Sequence, residues 1–313
     1  MLRACLILIA LSMSLAAEKR VITPADGVPP VGPYSPGILV GDYLYVSGQG
    51  AARPEGGFPA TVEEQTAQCL TNVRRIVEAA GLTMQHVVYA TVYLHDLGGV
   101  DEMNRAWRAA FPSDPPARVV VGTAKMPVDT PVEVTVVATR DLAARCAAEP
   151  GENESRGVMT ADRVYLSGAR GPEAVFDVLK GASVDHKNIV FANTFTVPPV
   201  YTAIAARETP KKSGHCTLAG DTLYCPAQSG SGGNIEAQVR STMSHLRDEL
   251  RQAGMTFENV VATNVYLDDI ADFARMNKVY AESFGATPPT RTTVQLLPST
   301  GKPLVRIAVV AVK

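Results

Sequence analysis

The chain has 313 residues, 29 basic and 31 acidic side chains for a net charge of -2, and is 46% hydrophobic and 19% charged. These proportions exclude a wholly disordered or fibrous chain and suit two domains of ordinary size, each able to bury a core. A charge so near zero also argues against a protein that grips nucleic acid through many phosphates.

In chain order, residues 1–17 (MLRACLILIALSMSLAA) come first. Arg3 supplies a basic start, Ala4 to Leu15 an apolar run, and Ser14-Leu15-Ala16 small residues of the kind a signal peptidase reads. The run is short for a bilayer span. The expectation is a secretory signal and an exported mature chain, periplasmic or secreted and free of the membrane. An uncleaved anchor is the alternative. Residues 38–48 (ILVGDYLYVSG) predict a hairpin around Gly41-Asp42. Thr61-x-x-Glu64 is a capping box that opens a helix. Leu70, Val73, Val77 and Ala80 fall at helical spacing, and Gly81 stops it. Residues 87–94 (VVYATVYL) predict a strand. A second helix follows with Met103, Trp107, Ala110 and Phe111 on one face, then strands over 118–122 and 132–139. The order ββαβαββ predicts an α+β unit with helices on one face of a mixed sheet. The other face then needs a cover, which predicts association through the sheets.

The pattern recurs. Ala80-Gly81, Tyr93-Leu94, Met103-Asn104 and Pro115-Pro116-x-Arg118 return as Ala253-Gly254, Tyr266-Leu267, Met276-Asn277 and Pro288-Pro289-x-Arg291, at a constant offset of 173. Gly41-Asp42 returns as Gly220-Asp221 at an offset of 179. A partial third copy lies between. ADRVYLSG (161–168) resembles GDYLYVSG (41–48), and 182–196 resembles 80–94, with the first helix clipped and the second missing. Residues 147–156 (AAEPGENESR) are polar and turn-rich and read as a linker. They carry the sequon Asn153-Glu154-Ser155. The expected organisation is a signal (1–17), a first unit (18–146), a linker with a degenerate half-unit (147–206) and a second full unit (207–313). QSGSGG (228–233) lacks a following Lys-Ser/Thr and reads as a flexible turn rather than a phosphate loop. If Gly220-Asp221 makes a two-residue turn, counting outward sets Cys216 opposite Cys225. They are either a disulfide, as an oxidising compartment allows, or two reduced buried thiols. The histidines are scattered and no Cys-x-x-Cys spacing occurs, so no metal site is expected.

Gly32-Pro33-Tyr34-Ser35, Val46-Ser47-Gly48-Gln49, Asn72-Val73, Ala80-Gly81, Met103-Asn104, Pro116-Ala117-Arg118 and Glu133 form an ordered set. Together they resemble the Rid family, the YjgF-type reactive-intermediate deaminases, closely over 31–140 and more loosely over 213–313. The resemblance implies a chorismate-mutase-like unit, assembled as a trimer with sheets lining an inner barrel and ligand sites in the clefts between units. It implies cofactor-independent hydrolysis of enamines and imines, such as 2-aminoacrylate, to a 2-keto acid and ammonia. It gives the arginine the task of holding the carboxylate of a small metabolite.

The residue chemistry suits that task. The guanidinium of Arg118 matches a carboxylate with two parallel hydrogen bonds, each worth about 1.5–3 kcal/mol. Glu133 is the candidate to orient or deprotonate a water. Tyr34, Ser47, Gly48, Asn104 and Arg291 are candidate substrate contacts. The plainer readings are an exposed loop arginine at Arg118, a solvent-facing strand residue at Glu133, a core-edge ring at Tyr34 and a structural Asn104. The second unit keeps Arg291 but has Arg306, Pro226 and Ser213 where the first has Glu133, Ser47 and Tyr34, and Val120 departs from the cysteine often found there. Either the three segments form an intramolecular pseudo-trimer, with at most one near-complete cleft, or intact units meet in a homo-oligomer. The functions in competition are imine or enamine deamination through Arg118 and Glu133, and non-catalytic binding of small carboxylates or other anions. Ribonuclease activity is the weakest at this charge.

Overall fold

A computed structural model describes residues 18–297, 301 and 303–313; the expected signal sequence lies outside the described residues. The first unit runs β1 (Arg20–Ile22), β2 (Gly37–Val40), β3 (Tyr43–Gly50), α1 (Val62–Ala79), β4 (Val87–Leu94), α2 (Val100–Ala110), β5 (Ala117–Lys125) and β6 (Val132–Thr139). Local chemistry explains the boundaries. Thr61 accepts from the Glu64 amide in a complete capping box, and Gly81 leaves α1 at φ +80°. Gly41 turns β2 into β3 at φ +53°, a conformation glycine enters without steric cost.

The middle unit is β7 (Cys146–Pro150), β8 (Ser155–Met159), β9 (Arg163–Ala169), α3 (Pro172–Gly181), β10 (Ile189–Thr196) and β11 (Pro199–Ala206). Residues 147–156 are therefore not a linker. They form most of a hairpin in which Ala147 pairs with Val158 and Pro150 with Ser155. Their polarity reflects half-wet strands on a sheet edge rather than irregular backbone. The unit has no counterpart of α2 or β5, because β10 turns directly into β11. The last unit is β12 (Lys211–Ser213), β13 (Cys216–Ala219), β14 (Thr222–Gln228), α4 (Ile235–Gln252), β15 (Val260–Leu267), α5 (Phe273–Tyr280), β16 (Thr290–Leu296) and β17 (Val305–Val312). Thr222 pairs with Ala219 across the Gly220-Asp221 turn, and Cys216 and Cys225 are disulfide-bonded.

Among the described residues the first and last units share one twelve-stranded sheet, joined where β5 meets β16 antiparallel at Gln295–Lys125 and Leu296–Thr123. The middle unit supplies a separate five-stranded sheet. Each unit buries its helices against the outer face of its own strands, as the apolar clusters around Val73, Leu179 and Leu246 show. The inner faces meet one another. Tyr43 and Tyr45 of the first unit, Val158 and Tyr165 of the middle one and Val261 of the last pack into one cluster. Tyr93, Phe195 and Tyr266, one from each unit, pack into another. The chain is thus an intramolecular pseudo-trimer around a tyrosine-rich interior.

One end of that interior is closed by three residues that occupy the same place in their hairpins: Tyr43, Arg163 and Thr222. The Arg163 guanidinium lies 4.2 Å from the Tyr43 ring centroid and donates to the Thr222 hydroxyl at 2.5 Å, while the Tyr43 hydroxyl bonds Thr160 and Asp162. Because each sheet covers the others, damage at the axis is felt by all three units. Tyr165→Ala, at a side chain only 1% exposed, is expected to cost about 3–5 kcal/mol and to keep a single cooperative transition, read by denaturant midpoint with two spectroscopic probes.

Candidate active site

Two hydroxyls repeat one device at two inter-unit seams. At the first, Ser47 donates to the Ser35 carbonyl at 2.6 Å and accepts from the Arg291 amide at 2.9 Å, while Ser35 donates to the Pro288 carbonyl. At the second, Ser167 donates to the Ser155 carbonyl at 2.6 Å and accepts from the Arg118 amide at 2.8 Å, while Ser155 donates to the Pro115 carbonyl. The first and last units therefore make one cleft, with Arg291, and the first and middle units make another, with Arg118. The third seam has no such arginine, because the middle unit lacks the strand that would carry it. Ser47 is a positioning residue rather than a substrate contact: its proton and a lone pair are both spent on backbone.

Arg118 and Glu133 are not brought together. They lie on β5 and β6, and β4 runs between those strands. The register sets Arg118 level with Val136, three residues from Glu133, so two strand spacings of roughly 4.8 Å and about 10 Å along the strand put their backbones about 14 Å apart. Arg118 turns toward the middle unit, where its site is already filled. Its Nη2 donates to Glu154 Oε2 at 2.6 Å and to Asn104 Oδ1 at 2.9 Å, Nη1 meets the Met103 sulfur at 3.3 Å, and the Trp107 ring lies 4.8 Å away. The resident carboxylate takes the place a ligand's would take. Val200 stands on β11 where the first unit has Glu133, against Gly168, so Glu154 on the guanidinium has no second acid facing it from that position. Asn104 belongs to this cleft, apart from the other candidates.

The Arg291 cleft is assembled differently. It is lined by Tyr34, Gly48 and Glu133 of the first unit and by Phe273, Arg291 and Thr293 of the last. Arg291 is 3% exposed, and among the described residues its Nη1 and Nη2 have no hydrogen-bond partner. Three rings surround the guanidinium, with centroids at 5.2 Å (Tyr34), 5.4 Å (Phe273) and 5.0 Å (Tyr280). Burial lowers its pKa, and Tyr280, Tyr34 and Glu133 oppose that. A buried guanidinium with two unfilled donors is costly unless an anion joins it.

Glu133 is 6% exposed, and burial pushes its carboxyl up to about 8, against the pull of Arg291. At pH 7 the group is mostly the neutral acid. Gly48 is glycine for a steric reason, since a Cβ there would fall on the Glu133 carboxyl. Tyr34 leans its ring on Arg291, and its hydroxyl accepts from the Val31 amide at 3.2 Å. Thr293 is buried, and its hydroxyl too has no partner among the described residues. Gly32 sits so close to Arg291 and Asn277 that a Cβ there would strike both. Thr293 and Asn277 escape a reading centred on the first unit. The 173-residue repeat maps them onto Val120 and Asn104, and that was the available signal.

The sequence model of the endoribonuclease L-PSP family matches residues 25–140 and 203–313, both full units. The chain belongs to this family. Relatives of this L-PSP chain include a RutC family protein of Saccharolobus solfataricus, 38% identical over 124 residues (39% of this chain, 98% of that protein). The 2-iminobutanoate/2-iminopropanoate deaminases of Escherichia coli and Capra hircus are 35% and 36% identical, covering 39% of this chain and 98% and 90% of theirs. Among solved structures, Escherichia coli TdcF with bound serine is 31% identical, covers 39% of this chain and 99% of its own, and superposes with a TM-score of 0.38. Each of these matches spans about one unit's length of this L-PSP chain.

Two stability measurements check the electrostatics. Glu154→Gln strips the buried Arg118 of its charged partner and is expected to cost about 1–3 kcal/mol. For Glu133, the folded chain holds a proton between pH 4.5 and about 8 that the unfolded chain releases. Stability should therefore fall as pH rises through that window and level off above it. Glu133→Gln should flatten that slope in thermal melts from pH 5 to 9.

Proposed function

We propose that this chain hydrolyses 2-imino acids and their enamine tautomers in the Arg291 cleft, with Glu133 as proton donor and then acceptor. The observation that carries the reading is the unfilled Arg291 guanidinium sharing a cleft with a neutral-leaning Glu133, while Arg118 is neutralised by Glu154. The 35–36% identity to 2-iminobutanoate/2-iminopropanoate deaminases over one unit supports it.

The substrate carboxylate takes the two Nη donors of Arg291, a bidentate pair strengthened by burial. That sets C2 beside Glu133. With an enamine, the neutral carboxyl gives its proton to the terminal carbon as the nitrogen lone pair moves in, and an iminium forms. The resulting carboxylate accepts a proton from water as its oxygen bonds C2. Glu133 passes that proton to nitrogen, and as the C–N bond breaks the C2 hydroxyl returns its own proton to the Glu133 carboxylate, which leaves the 2-keto acid, ammonia and the neutral acid. A neutral imine takes the Glu133 proton on nitrogen and joins the route at the same iminium. The Thr293 and Tyr34 hydroxyls are within the cleft to orient the water. Only proton transfer and charge stabilisation are asked of the site.

The test generates 2-aminoacrylate in situ and follows ammonia and keto-acid release. Arg291→Ala should lower kcat/KM by about 100-fold or more, the scale of losing a charge-assisted pair. Arg118→Ala should change it by no more than about threefold; a larger loss there than at Arg291 returns the site to Arg118. Donation by Glu133 requires the protonated form, which is present below its pKa and lost above it. kcat/KM should therefore decline above about pH 8, and Glu133→Gln should abolish turnover while sparing keto-acid binding. If wild type gives no acceleration yet 2-keto acids raise its melting temperature through Arg291, the protein is a carboxylate binder.

A further inference from the structure

The described surface exposes four large hydrophobic side chains: Val31 (48%), Phe58 (38%), Val128 (60%) and Leu142 (40%). Three of the four line the Arg291 cleft. Such residues scattered singly need no account, but three around one opening do. The cleft is graded from end to end. Its charged groups, Arg291 and Glu133, and Thr293 are buried, Tyr34 is half-buried, and its apolar rim is wet.

The rim is a feature of the first unit. Val31 lies in residues 23–36, the long connection between β1 and β2. In the middle unit the corresponding turn between β7 and β8 is residues 151–154, and in the last unit β12 reaches β13 through Gly214-His215 alone. Val128 has a second peculiarity. It holds φ +53°, ψ 23°, a left-handed conformation that a β-branched residue adopts only under strain. Glycine would fit that backbone freely. The fold instead keeps an isopropyl group there, pointing an apolar surface at the opening.

We infer that the cleft is matched to 2-imino acids bearing a large apolar side chain, branched or aromatic, rather than to those bearing methyl or ethyl groups. The inference rests on the hydrolysis reading above. With the carboxylate on Arg291 and C2 beside Glu133, both buried, the chain from C3 outward runs toward the opening. A methyl group leaves Val31, Phe58 and Val128 in water, whereas an isobutyl or benzyl group covers them. The chemistry of supply follows. β-Elimination from serine or threonine makes enamines that end in a methylene or ethylidene carbon, and reaches a bulkier group only where the β-carbon carries both the bulk and the leaving group. A 2-imino acid with a branched or aromatic group arises when an amino acid loses two electrons and two protons at its Cα–N bond. The supplying reaction is therefore of the amino-acid oxidase or dehydrogenase class, whose flavin or nicotinamide takes the electrons.

The experiment uses the full chain with imines made in situ from alanine, 2-aminobutyrate, leucine and phenylalanine by an amino-acid oxidase under oxygen with catalase. The expected kcat/KM is at least about tenfold higher for the leucine- and phenylalanine-derived imines than for the alanine-derived one, the scale on which an apolar pocket reads side-chain size. Phe58→Ala and Val128→Gly should move that ratio toward one. Val128→Gly should do so without lowering the melting temperature, because it also relieves the backbone. Hydrolysis with no preference, or with a preference for the alanine-derived imine, overturns the size inference and leaves the reaction standing. If no imine is accelerated, the reaction fails instead, and thermal shifts then decide the size question. A larger shift with 4-methyl-2-oxopentanoate than with pyruvate supports it, and equal shifts overturn it. A concentration-dependent dimer dispersed by Phe58→Asp, with an unchanged substrate ratio, reassigns the rim to a protein contact and overturns it.

Discussion

Each unit has a sheet that is apolar on both faces, and its helices cover only one. The uncovered face holds Tyr45, Val88 and Val137 in the first unit and Tyr165 and Ile204 in the middle one. Left wet, such a face is a template for aggregation, so it has to meet other sheets. This chain meets the requirement with three units on one polypeptide. Two of them fuse through β5 and β16 into a continuous sheet, and the shortened middle unit closes the third side. The clefts are by-products of that closure, because they lie where one unit's arginine strand reaches the next unit's hairpin.

Covalent linkage lets the three seams differ, which identical subunits cannot do. One seam keeps an arginine, an acid and an open approach. A second keeps its arginine but answers it internally with Glu154 and replaces the acid with Val200. The third has lost the arginine's strand. The two arginines sit in nearly the same backbone device, each with its amide on a serine hydroxyl. What separates them is one side chain from across the seam, a carboxylate at residue 154 against a phenol at residue 34. A buried guanidinium with a resident carboxylate is a structural ion pair, and one without is a candidate anion site.

The Glu133 carboxyl and the Arg291 guanidinium disturb each other in opposite directions. Burial disfavours charge on both. Among the described residues neither closes on the other, and both line the same cleft. The strain at Val128, the close approach at Gly48 and the Arg291–Tyr34 ring contact all fall around that space. Strain and desolvated charge gathered at one place mark where the fold gives up stability for chemistry.

The capping box at Thr61, the glycine stops, the hairpin turns and the three-fold recurrence of GDYLYVSG-like segments were legible, because they rest on local geometry and spacing. The family and the residue types of its chemistry were legible for the same reason. The strand character of 147–156 was hidden, since its strands lie at a sheet edge and stay half wet. The pairing of Arg118 with Glu133 was misleading, since fifteen residues of separation conceal an intervening strand. Sequence thus settled the residue types of the candidate site, an arginine in each full unit and a carboxyl in the first. Which arginine shares a cleft with which acid was decided only when the three sheets closed on one another, because Arg291 and Glu133 stand more than 150 positions apart on opposite sides of a seam that no local pattern encodes.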